Sequence, residues 1–112
     1  MTTSGSVSVP ANGAVTNVVS GSIFEFIPED SEVEIGLNQT LSGVIGRVAC
    51  DSEIALEDMG TTNLLVKGTL PIYPDDFILN FLCVGGSRLT INLRNTTSTA
   101  IVVLWAVRIT PA

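Results

Sequence analysis

The chain has 112 residues, is 46% hydrophobic and 14% charged, and carries a formal net charge of −6. This composition excludes a disordered tail and allows one core without help from a metal or a disulfide. A single lysine and four arginines against eleven acids exclude sequence-independent nucleic-acid binding, which depends on cations neutralising phosphates.

Residues 1–6, rich in Ser and Thr, read as a flexible arm, and residues 7–112 as one domain. The turn Pro10-Ala11-Asn12-Gly13 follows. Short strands are expected at 14–19 and 23–27, with Phe24 and Phe26 on one face and Glu25 on the other. Residues 32–37 alternate strictly, with Glu32 and Glu34 outward and Val33, Ile35 and Leu37 inward. Residues 44–50 form the next strand, where Gly43 and Gly46 point to a bulge or a close backbone approach. Weaker strand signals cover 54–56 and 63–67, and two prolines make 70–76 extended or edge-like. Residues 77–84 return to apolar content before the turn Gly85-Gly86. Residues 88–95 alternate again, with Leu89, Ile91 and Leu93 inward.

The last strand, residues 99–109, is apolar on both faces. One face carries Ile101, Val103, Trp105, Val107 and Ile109, and the other Ala100, Val102, Leu104 and Ala106, broken only by Arg108. An exposed sheet shows water one polar face, so this second face needs a cover, from the same chain or from a neighbouring subunit. Eight to ten short strands with regular turn signals and no helix predict an all-β fold, a single antiparallel β-sandwich with a short flexible N-terminal arm.

The chemistry-bearing residues are few. Without histidine, His-based catalysis and the common zinc arrangements are excluded. Cys50 and Cys83 are isolated in apolar strands, and residues 1–13 lack the basic start and apolar stretch of a signal peptide. Buried free thiols are therefore expected, with one bridge as the alternative in an oxidising compartment. Asn38-Gln39-Thr40 and Asn95-Thr96-Thr97 match the glycosylation triplet, a chance match where no secretion signal exists.

Glu32 and Glu34 share a strand face at about 7 Å, a spacing open to calcium or to acid–base chemistry, though a polar outer face is the simpler reading. Asp75-Asp76 reads as a turn cap before it reads as a cation site. Trp105 with Tyr73 suggests a sugar-stacking platform, but Trp105 lies mid-strand in apolar sequence, which favours core or interface. All eleven acids precede Phe77, and the three charges after it, Arg88, Arg94 and Arg108, are positive. Acidic and basic segments of this kind meet within one sheet or across a subunit contact, or are simply solvated faces. No enzymatic constellation and no cofactor is expected, and no apolar run reaches membrane-spanning length.

With its arm at 2–8, its strand series, and the segment 88–97 leading into 100–111, the chain resembles small virion proteins built on a jelly-roll or related β-sandwich. These include the capsid decoration or cement proteins of tailed phages. The resemblance implies a jelly-roll-like fold and a structural protein of the virion, assembled in the host cytoplasm, that binds the major capsid protein or another virion protein and stabilises the shell. The scarcity of lysine places it outside the genome-contacting layer, with no nucleic-acid partner. A homo-oligomer, with a trimer favoured, would cover the last strand's second face through Val102, Leu104, Trp105, Ala106 and Arg108, while Thr2, Thr3, Ser4 and Ser6 of the arm would reach the lattice. The other reading is a small carbohydrate- or receptor-binding β-sandwich module.

Overall fold

The computed structural model describes residues 1–50, 66–67 and 79–112. Among these the structure is all-β, with eight strands: β1 (Thr2–Val9), β2 (Ala14–Val15), β3 (Ser31–Gln39), β4 (Val44–Cys50), β5 (Val66–Lys67), β6 (Leu79–Cys83), β7 (Leu89–Asn95) and β8 (Ile101–Pro111). The expected strand at 54–56 and the extended segment at 70–76 lie outside the described residues, as do Tyr73, Asp75 and Asp76.

Two sheets form. One runs β1-β8-β3, and β3 then pairs antiparallel with β6 through residues 31–35 and parallel with β5 at Asn38 and Gln39. The other is the antiparallel sheet β2-β7-β4. The alternation that marks β3, β7 and β8 in the sequence is what closes the core between them. Val33, Ile35 and Leu37 of β3, Leu89, Ile91 and Leu93 of β7, Val44 and Val48 of β4, and Ile101, Val103, Val107 and Ile109 of β8 are all buried in one cluster. Each such side chain contributes about 1.5–3 kcal/mol by leaving water.

Three expectations are corrected. Residues 2–6 are not a free arm. They begin β1, which pairs along its whole length with β8, from Thr2 opposite Arg108 to Val9 opposite Ile101. Ser, Thr and Gly provide no core of their own, so the arm's sequence looks unfolded, but on the edge of an apolar strand its backbone gains a full ladder and its Val7 and Val9 reach the core.

The stretch 16–28 is a chain of turns rather than two strands. Asn17 takes a left-handed conformation (φ 48°) and is 4% exposed. Its side-chain nitrogen donates to the Leu89 carbonyl at 3.1 Å, and its side-chain oxygen accepts from the Ile91 amide at 3.1 Å. The side chain thus takes over bonds that a strand's backbone would have made. Because the segment turns, Phe24 and Phe26 part company: Phe24 is buried, whereas Phe26 is exposed.

Cys83 is also not a free thiol. It is disulfide-bonded, and the sequence holds one other cysteine, Cys50, the last residue of β4. The two positions end strands of different sheets, so proximity set by the fold overrides the expectation of buried free thiols.

Asn95 ties the opposite end together. Its amide nitrogen donates to the carbonyls of Val9 (3.2 Å) and Thr99 (2.8 Å), and its oxygen accepts from the amide and hydroxyl of Thr97. At 2% exposure it has no room for a glycan. The neighbouring close approach expected at Gly43 is present. Gly43 has φ 133°, and an added Cβ would collide with the Thr97 methyl.

Candidate functional site

The residues singled out in the sequence fall on two adjacent strands, because β8 is central in its sheet and β1 lies along one side of it. The ladder sets Thr2 opposite Arg108, Ser4 opposite Ala106, Ser6 opposite Leu104 and Ser8 opposite Val102. On the other side of β8, Glu34 faces Arg108, Gly36 faces Ala106 and Asn38 faces Leu104. These residues make the sheet face turned away from the core. Thr3 and Trp105 belong to the opposite, core-directed face, so they are not part of it.

Exposure divides the β8 positions. Val102 is 38% exposed, whereas Leu104 and Ala106 are 2% and 4% exposed in the single chain. A second copy is not needed to take those two from water. The surface they leave open consists of the exposed hydroxyl row Thr2, Ser4, Ser6 and Ser8, with Val102 beside it.

Trp105 is half-buried against the core and lies over Gly5. A Cβ at Gly5 would stand 2.8 Å from its Cζ2 atom. The indole therefore fills the space that a side chain on β1 would take, which explains the glycine in an otherwise regular strand.

Arg108, the lone charge on the last strand's second face, is answered across the ladder. Its Nε donates to Glu34 Oε1 at 3.0 Å and its Nη2 to Glu34 Oε2 at 2.6 Å. This planar two-point bond holds the Glu34 carboxyl below its ordinary pKa and raises Arg108, with burial opposing both shifts. Glu34 is thereby committed to an ion pair, not to a cation site shared with Glu32. The signal was present in the sequence as an arginine interrupting an apolar face and a glutamate on another strict alternator, but the register that joins them was not.

A second pair joins Arg88 Nε to Glu25 Oε2 at 2.8 Å. Glu25 also accepts from the Gly21 amide at 2.8 Å, and that bond, ahead of Arg88, is the main cause of its lowered pKa. The acidic first part and the basic last part of the chain thus meet within the protomer.

Both carboxyls bind their proton more weakly folded than unfolded, so their stabilisation is full above the ordinary value of 4.5 and is lost as pH falls through the lowered folded values. The double variant Glu25→Gln, Glu34→Gln should show a shallower loss of stability on acidification than the parent, measured by urea titrations across the acid range. Parallel acid limbs in the two proteins would refute this.

Two hollows are lined by the described residues. One, of about 290 Å³ on the outer side of the β2-β7-β4 sheet, lies between Arg47 and Arg94. The other, of about 300 Å³, is lined mostly by apolar atoms of Leu82, Cys83 and Val84, with Asp30 and Ala112 at its rim. Among the described residues, no three of His, Cys, Asp and Glu come together as metal ligands. Compared with known proteins, the chain matches no family model, no curated protein and no solved structure.

Proposed function

We propose that this protein is a structural component of a virion, of the decoration, cement or minor-capsid type. On this reading it is a jelly-roll-like β-sandwich that binds the major capsid protein and stabilises the shell through protein–protein contacts. The observation that carries the reading is the open face and edge of β1. It is an eight-residue strand of small, uncharged side chains, held rigid along β8 and exposed on alternate positions. A surface of this kind presents backbone and hydroxyl groups to a flat partner, and display on a repeating shell multiplies weak single contacts.

Three further features agree with it. Two sheets sharing one apolar cluster suit a sandwich. A disulfide at Cys83 suits the outside of a particle, where such bonds persist. The acidic surface suits a position away from the genome.

The test is made on virus particles purified from the source of this sequence. Peptide mass spectrometry should find the chain in a copy number commensurate with the shell, and particles depleted of it should rupture at lower temperature. Purified particles that carry none of the chain would overturn the proposal.

A further inference from the structure

Among the described residues, the backbone of β1 is satisfied on one side only. The Met1 ammonium donates to the Ile109 carbonyl at 2.8 Å, and the Ile109 amide donates back to the Met1 carbonyl at 2.8 Å. Position 1 therefore forms a hydrogen-bonded pair with 109. In an antiparallel ladder such pairs alternate with non-bonded ones. Since the register runs unbroken to Val9 opposite Ile101, positions 3, 5, 7 and 9 direct their N–H and C=O groups at β8. Positions 2, 4, 6 and 8 direct theirs the other way.

Thr2, Ser4, Ser6 and Ser8 are exposed, and among the described residues nothing bonds to these outward groups. Sheet edges are ordinarily guarded by charge, proline, a bulge or extreme shortness. From Thr2 to Val9 there is no charge, no proline and no break in register.

We propose that this edge is a self-association site, at which a second copy of the chain adds its own β1 antiparallel to the first. The inference goes beyond the virion reading and stands without it. The strand is complementary to itself. An antiparallel partner must set outward-facing positions against outward-facing positions, and one register does so over the full length of the strand. It places Thr2 against Ser8, Ser4 against Ser6, and Gly5 against Gly5 on the two-fold axis.

That register forms four hydrogen-bonded residue pairs and joins two five-stranded sheets into one continuous sheet. On the outward face the opposed side chains are hydroxyls, and on the other face Thr3 meets Val7, so no like charges meet even though each copy carries −6 overall. The axis falls between the two Gly5 residues, each backed by its own Trp105. The contact is isologous and consumes the free edge on both copies, so it closes at two subunits rather than three.

Sedimentation velocity and native mass spectrometry of the full chain, from micromolar to near-millimolar concentration, should show a monomer–dimer equilibrium. Ser6→Pro removes an outward N–H without touching the β8 ladder, and should raise the dissociation constant about tenfold or more. Ser6→Lys, which puts a charge on the edge, should act the same way should the proline variant fail to fold. Amide hydrogen exchange followed by NMR gives the residue-level readout: protection at Ser4, Ser6 and Ser8 should rise with protein concentration, while that at Gly5 and Val7 is already present in the monomer. A chain that stays monomeric, a trimer, or a dimer that forms while the Ser4 and Ser6 amides still exchange freely would each overturn the proposal.

Discussion

Leu104→Asp should unfold the chain, whereas Val102→Asp, two positions earlier on the same strand face, should leave it folded. Leu104 is 2% exposed and Val102 38%. Along β8, Leu104 has Ser6 and Asn38 as its ladder neighbours, neither of which carries a positive charge to answer a carboxylate. The substitution gives up about 1.5–3 kcal/mol of apolar burial. It also demands that the new carboxyl either stay charged in a dry site or take up a proton against its ordinary pKa, so a total near 5 kcal/mol is expected. That is comparable to the whole stability of many domains this size. Circular dichroism with urea titration decides the matter. A Leu104→Asp protein that melts with the parent would mean that the second face of β8 is open, and would return Leu104 to the list of contact residues. Val102→Asp is the variant with which this face can be probed without collapse of the fold.

Loss of the bridge at Cys83 has the next largest effect. Closing a loop of about 30 residues removes unfolded-state entropy worth about 3–4 kcal/mol on the chain-entropy account. Cys83→Ser, or treatment with a phosphine reductant, should lower stability by about that amount and shift the urea midpoint accordingly. Cys83 lies in the buried cluster at 2% exposure, so the serine hydroxyl adds a polar cost that the reduced parent does not bear. The variant should therefore be somewhat less stable than the reduced protein. A reductant without effect on the midpoint would show that no bridge had formed.

The strands that could be read from the sequence are those that bury one face. In β3, β7 and β8, residues such as Val33, Ile35, Leu89, Ile91, Val103 and Val107 alternate with a period of two because the sheet faces demand it. The pairing of the arm is not legible in the sequence, because its partner lies about a hundred residues away and nothing in Thr2–Ser6 records that partner. Nor are the turns at 16–28, because Asn17 and Glu25 satisfy backbone groups through side chains, a device without periodicity. The bridge is not legible either, because disulfide bonding needs two positions brought together by the fold. The Glu34–Arg108 pair waited on register, which a single alternating strand leaves open.

The position of β8 also governs when the fold can be completed during synthesis. Of the described strands, the one at the middle of the larger sheet comes last in the chain, after both of its flanking partners, β1 and β3. On the ribosome, β1 emerges long before β8 and lacks its ladder partner until β8 has been made. Long-range pairing of this kind slows folding and lengthens the exposure of an uncharged strand to other nascent chains. A cell making this protein in quantity thus faces a delay fixed by strand order, and shortening that delay by moving β1 behind β8 in a circular permutant would speed folding while preserving every strand pair.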